Sequence, residues 1–202
     1  GLSPVSTGWF HWGTEDMEGA LSDVLSAKPD AILLVANAPE GLNIVRKMAS
    51  LPKERRVPII SHWGITGGNF FAQSKNVLKD VDLVFLQTYS FFKPTKVDIA
   101  QRLIAQYGKK YGLEAKPESI TAPAGTAHAY DLVHLLAKAI AKAGTIDRKS
   151  VRDALATLQT HDGLVRTYSG PFANGNHDAL SAEDFSIGRY DAAGTIFPIW
   201  PQ

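Results

Sequence analysis

The stretch that decides the fold is "DAILLVANAPEGLNIVRKM", Asp30–Met48. Its first half, "DAILLVA", is a short continuous apolar run, the pattern of a strand buried on both faces. Its second half reads as a helix. Pro39 suits the first turn, where a missing N–H costs nothing. Working outward, the same alternation continues in both directions. Before it, "LSPVSTGWF" (Leu2–Phe10) is β-rich. A helix with Thr14 as hydroxyl cap and acids in its first turn then runs through "MEGALSDVLSAK" and stops before Pro29. After it come the strand "VPIIS", a glycine-rich turn "HWGITGGNF" into a short helix near Phe70–Ser74, the strand "VDLVFLQTY", and a helix "KVDIAQRLIAQYGKKYG" ending at Gly112. This rhythm predicts an α/β fold with a mainly parallel, doubly wound sheet and helices on both faces, a three-layer α/β/α arrangement.

The tripeptide His-Trp-Gly occurs twice, at His11–Gly13 and His62–Gly64, in a chain with only four Trp and six His. Each copy follows a predicted strand, the first and the third. A common strand order in such sheets is 2-1-3-4-5, which makes those two strands neighbours. Both tripeptides are then expected side by side at the carboxyl edge of the sheet, at the switch point where open α/β sheets bind ligands. Trp12 and Trp63 become candidate aromatic walls of a cleft.

Composition narrows the function. The chain has 202 residues, 45% hydrophobic, with a formal net charge of +1, so no basic surface points to nucleic acid. Cysteine is absent, which removes disulfides, thiol catalysis and Cys-based metal sites. No apolar run has transmembrane length. The opening Gly-Leu-Ser-Pro lacks the basic and apolar regions of a signal peptide, so the chain is read as cytosolic or as a mature or excised piece.

The second half changes character near Lys116–Ala124. "TAHAYDLVHLLAKAIAKAG" is a long apolar helix ending at Gly144, and "IDRKSVRDALATL" is another, with Asp147 as N-cap. "HDGLVRTYSGPF", "ANGNHDAL" and "SAEDFSIGRYDAAGTIFPIW" read as antiparallel hairpins, with "DAAG" as a turn.

Taken in order, "AKPDAILLVANAPEGLNIVRKM", "VPIISHWGITGG", "AYDLVHLLAKAIAKAGTIDRKSVRDALATL" and "YSGPFANGNHDALSAEDFSIGRYDAAGTIFPI" resemble the carboxyl-terminal part of a type I periplasmic solute-binding protein. The leucine/isoleucine/valine-binding receptors of ABC transporters are the relatives meant. The resemblance implies a bilobed, non-enzymatic protein that closes over a small solute (an amino acid, amide or aromatic acid) and presents it to a membrane permease, in the periplasm or on a lipid anchor. It implies no cofactor and no metal. It divides the chain into a second lobe (1–116), helices that return to a first lobe absent from this chain (117–160), and hairpins that complete the second lobe (161–202). The apolar face of Leu132, Leu135, Leu136, Ala139 and Ile140 would then lack its cover, and a homodimer or domain swap through helix 124–144 is expected.

The resemblance also supplies site residues. The loop "GITGG" stands where relatives carry an acid that binds an α-amino group, and Thr66 takes that place with Gly64 beside it. A neutral hydroxyl cannot make that charge-assisted bond, so an amide or aromatic-acid ligand gains weight. Asn37 and Ala38 stand in another ligand-contacting loop, although Asn37 equally suits the cap of the following helix. Thr88 and Tyr89 end the fourth strand at the same edge. Glu15, Asp16 and Glu40 read as helix-start acids. Two other readings stay open: a ligand-sensing domain of a receptor or regulator with the same fold, and a metal-assisted hydrolase using His11, His62 and Asp16. The second lacks a nucleophile, base and orienting group in any recognisable pattern.

Overall fold

A computed structural model describes residues 3–200; Gly1, Leu2, Pro201 and Gln202 lie outside the described residues. The chain divides into two compact units. Unit 1 takes the residues up to Gln87 and those from Ile187 onward, and unit 2 takes Thr88–Ser186. The boundaries expected at 116 and 160 do not coincide with these divisions.

In unit 1 the alternation of the sequence becomes α1 (Glu18–Ser26), β1 (Ile32–Leu34), α2 (Ala38–Ser50), β2 (Ile59–Ser61), a 3-10 turn (Trp63–Thr66), α3 (Phe70–Leu78) and β3 (Leu83–Gln87). Unit 2 holds α4 (Val97–Tyr111), α5 (Pro123–Ala143), α6 (Arg148–Ala156) and the strands β4 (Thr160–Asp162) and β5 (Thr167–Ser169). The chain then returns as β6 (Ser186–Tyr190) and β7 (Ile196–Trp200). The main sheet has the order β1-β2-β3-β6-β7. β1, β2 and β3 pair in parallel, while β6 and β7 form an antiparallel hairpin. Its turn is the "DAAG" read from the sequence. Gly194 adopts φ +90° there, and the Asp191 carboxylate accepts from the N–H groups of Ala193 and Thr195.

The expected α/β class is present, with one packed sheet face. Ile32, Leu34, Ile59 and Phe85 meet Met17 and Leu21 of the α1 region, Val45 and Met48 of α2, and Phe70 of α3. Leu33, Ile60 and Val84 lie in register, alternating with these along their strands, and Leu33 is 79% exposed.

The first predicted strand is not formed. Residues 3–10 belong to no ladder, and β1 pairs directly with β2. The order 2-1-3-4-5 therefore does not hold, and the two HWG tripeptides do not end neighbouring strands. The cause is local packing. Burial alternates along the segment as in a strand, but the surface beneath it is α1: a Cβ on Gly8 would stand 3.1 Å from Ala20 O and from Val24 Cγ2. A period of two reports an extended chain on a surface, and a helix provides such a surface as well as a neighbouring strand does. Thr14 is likewise not the cap of α1. Its hydroxyl donates to His11 O (2.7 Å) and accepts from His11 N–H (3.2 Å), closing the first HWG turn, and α1 begins at Glu18.

Helix ends in unit 2 follow the sequence. Gly112 and Gly144 are left-handed C-caps of α4 and α5, and Asp147 caps α6 by accepting from Ser150 N–H at 2.9 Å. Along α5, Ala127, Asp131, Leu135 and Ala139 form one buried stripe at four-residue spacing. Of the face expected to lack cover, Leu135 and Ala139 are buried, with Ala139 against Val151 and Ala154 of α6, while Leu132 and Leu136 are exposed. "ANGNHDAL" is not a hairpin; it contains one 3-10 turn at Ala173–Gly175 and no strand.

Candidate functional site

The carboxyl end of β1 runs through Val35–Asn37 into α2. This turn organises most of the candidate residues. Asn37 occupies the N-cap position of α2, but its side chain makes no capping bond. Its Oδ1 faces the second HWG instead. A Cβ on Gly64 would lie 2.7 Å from Asn37 Oδ1 and 3.0 Å from Ala36 O, so only glycine lets this loop seat on the β1–α2 turn. His62 fixes the loop by accepting Gly64 N–H at its Nδ1 (3.0 Å). Burial pushes the His62 pKa down, in favour of the neutral ring that this accepting role requires. The Trp63 ring lies 4.0 Å from the His62 ring, tilted by 34°. Thr66 donates its hydroxyl proton to Trp63 O at 2.7 Å.

The first HWG docks on the same segment. Gly13, at φ +78°, donates its N–H to Glu40 Oε1 at 2.9 Å. Glu40 is the third residue of α2 and only 3% exposed, and its Oε2 has no partner. The repeated tripeptide thus has one structural meaning at both copies: its glycine lets a tryptophan-bearing loop close onto Ala36–Glu40. Trp12 is left 77% exposed and Trp63 half-buried. Beside this turn a cavity of roughly 800 Å³ is lined by Glu15, Asn37, Asn43, Asn69, Phe70 and Gln73, among others, so four amides and one carboxylate supply its polar chemistry and Phe70 its one aromatic ring.

The structure therefore brings Asn37, Ala38, Trp63, Gly64 and Thr66 together, with Trp12 tied to the same turn through Gly13. Thr88 and Tyr89 belong to unit 2 and are buried in it. Thr88 Oγ1 lies 2.7 Å from His128 Nε2, and burial holds His128 below its usual pKa against the opposing pull of Asp131. The Tyr89 hydroxyl is buried without a partner; burial and then Asp131 raise its pKa. The sequence reading missed Glu40 as a loop anchor, because an acid in a first helical turn already has a reason to be there. It also missed His128 as the partner of Thr88, since 40 residues separate them.

Glu40→Ala is expected to cost about 1–2 kcal/mol, because it removes a charge-assisted acceptor from Gly13. Glu40→Gln keeps an acceptor and costs less. Urea midpoints and acrylamide quenching of Trp12 check this; equal midpoints and equal quenching in wild type and Glu40→Ala would show that the bond does not hold the loop.

Among the described residues no group of three His, Asp or Glu could hold a metal ion. His62 Nδ1 is already engaged by Gly64. None of the described helices is long and apolar enough to cross a membrane.

The family model described as periplasmic binding protein matches residues 1–195. The chain belongs to that family. This periplasmic binding protein is similar to a type 1 periplasmic binding protein from Bordetella pertussis Tohama I, at 21% identity over 98% of this chain and 53% of that chain, with a TM-score of 0.78. It is also similar to a leucine-binding protein from Thermotoga maritima MSB8 (21% identity, 94% and 49% covered, TM-score 0.71). A third similar structure is an ABC-transporter solute-binding protein from R. palustris in complex with benzoate (15% identity, 94% and 48% covered, TM-score 0.64). No curated protein sequence matches the chain. The fold is that of type I periplasmic binding proteins, and the chain spans about half the length of these structures.

Proposed function

We propose that this periplasmic binding protein supplies one part of a solute trap, the binding component of an ABC-type transporter, with its share of the site built on the β1–α2 turn of unit 1. The observation that carries this reading is the convergence of both HWG loops on Ala36–Glu40. In its support, Asn37 lies where β1 leads into α2, and the loops that carry Trp12 and Trp63 both contact this turn, at the kind of edge where open α/β folds bind small molecules. The site performs no chemistry. It offers flat apolar contact through Trp12 and Trp63 and hydrogen bonding through Asn37. A solute with a planar or branched apolar body and a polar head fits this offering: an amide, an aromatic acid, or an amino acid held by groups other than Thr66. Two similar structures, a leucine-binding protein and a solute-binding protein in complex with benzoate, span that range. Binding is then read by a membrane permease, and the working compartment is the periplasm. No cofactor takes part.

A thermal-shift screen tests this, using amino acids, amides and aromatic acids on the longest polypeptide the gene encodes, with the 202-residue chain in parallel. A solute from these classes is expected to raise the melting temperature of the longer protein by several degrees. At a ligand concentration of 100 Kd the stabilisation is about 2.7 kcal/mol. Trp63→Ala is expected to weaken that solute about tenfold, since an aromatic contact contributes roughly 0.5–1.5 kcal/mol beyond the area it buries. A solute that binds Trp63→Ala and wild type equally would move the site elsewhere. Stabilisation by a protein partner alone would favour a sensor domain.

A further inference from the structure

In unit 2 the short hairpin β4–β5 places His161 directly opposite Tyr168. Their rings are nearly parallel, with centroids 6.0 Å apart. α5 brings His134 to 6.4 Å from the His161 ring, and His134 leans in turn on Tyr130 at 4.4 Å. His161 is 6% exposed, and neither Nδ1 nor Nε2 has a hydrogen-bond partner. A neutral imidazole leaves one donor and one acceptor unmet here. An imidazolium would leave two donors and a full charge unmet, a far larger penalty in the same surroundings.

The groups around His161 do not relieve that penalty. Asp131 of α5 is the buried carboxylate nearby, but it already accepts from Leu164 N–H (2.5 Å), Val165 N–H (2.9 Å) and the Tyr168 hydroxyl (2.8 Å). Asp162 of β4 is exposed and pairs with Lys96 (2.6 Å) and Thr167 (2.7 Å). Lys138 of α5 adds like charge, and His134 adds a second imidazole on the same side. Burial first, then Lys138, holds His161 below its ordinary pKa against the weaker pull of Asp131 and Asp162.

We propose that His161 is an acid-operated release: protonation of its buried ring drives the β4–β5 hairpin off α5 and opens the Asp131 cage together with the adjoining apolar cavity lined by Leu132, Leu135, Tyr168, Phe172 and Leu180. The sign follows from proton binding. The released ring titrates near its ordinary value of 6.5, the docked ring below it. The open form therefore binds more protons in the window under that value, and docking is at full strength above it and weakens as pH falls from it toward the docked ring's lower value. Acid sensing of this kind needs only one histidine and one docked element.

The test is amide exchange at Leu164 and Val165 in the 202-residue chain, corrected for intrinsic rates, between about pH 7.5 and about pH 5.5, the range histidine spans. Their protection is expected to fall relative to β2 amides, by about tenfold for each pH unit between the ordinary pKa and the docked one. His161→Phe keeps a ring on Tyr168 but takes no proton, so its protection should fall much less with pH than the wild type's, leaving only what His128 contributes. His161→Gln serves if Phe overpacks the site. His128→Gln removes the half-buried imidazole beside Thr88 and should leave most of the fall intact. Flat wild-type protection would overturn the proposal, as would an unchanged slope in both His161 variants. So would an NMR titration placing His161 at or above its ordinary value.

Discussion

Asp131→Ala is expected to destabilise unit 2 by roughly 3–9 kcal/mol, since it strips the acceptor from three buried donors, each costing about 1–3 kcal/mol when left unmet. The donors are the N–H groups of Leu164 and Val165 and the Tyr168 hydroxyl. That loss is a large fraction of the about 5–15 kcal/mol that holds a typical domain together. Asp131 is 1% exposed, so water does not replace the lost contacts without opening the structure. Position 163 is in turn committed to glycine, because a Cβ there would lie 2.7 Å from Asp131 Oδ2. Asp131→Asn keeps one oxygen but turns an NH₂ group toward a backbone donor, and about half the loss is expected. Urea unfolding followed by circular dichroism, with limited proteolysis across residues 157–170, reads the effect. A midpoint for Asp131→Ala within experimental error of wild type would mean that the cage is not what fixes the hairpin.

Phe85→Ala is expected to cost about 3–5 kcal/mol in unit 1, as for other fully buried aromatic residues. Phe85 sits in the middle of β3 with no exposure. Its ring meets Tyr190 edge-on at 5.1 Å, and Tyr190 also lies 5.2 Å from Phe71. A Cβ on Gly188 would come within 3.3 Å of Phe85 Cε2. The ring therefore fastens the returning strand β6 to β3 as well as filling the core. Phe85→Leu fills most of the volume but loses the contact with Tyr190, and should fall between wild type and alanine. Denaturant unfolding of the three proteins tests the order; a Phe85→Leu protein as unstable as Phe85→Ala would assign the whole effect to the aromatic contact rather than to volume.

The parts of the fold legible in the sequence are those coded by local chemistry. The apolar runs at β1, β2 and β3, the glycines that end α4 and α5, and the Asp147 cap all act within a few residues of where they are read. The β-rich segment "LSPVSTGWF" forms no strand over residues 3–10, because composition does not say what an extended chain lies on. In the candidate site, the two HWG repeats share something other than strand adjacency: each glycine meets Ala36–Glu40, a contact across 27 residues. Asp131 had a visible signal, an acid on the buried stripe of Ala127, Leu135 and Ala139. What makes it tolerable there is a pair of backbone N–H groups 33 and 34 residues away, and backbone donors leave no mark in a sequence.

The position of β6 in the sheet has a consequence for biosynthesis. β3 ends at Gln87, yet its neighbour begins at Ser186. A ribosome delivering about 5–20 residues per second needs roughly 5–20 s to make the intervening stretch. During that time the Phe85 strand has an open edge and an uncovered aromatic face, a surface of the kind that chaperones hold and that aggregates if they do not. The helical unit, whose contacts are complete once Ser186 emerges, can fold while the sheet still waits for its last two strands.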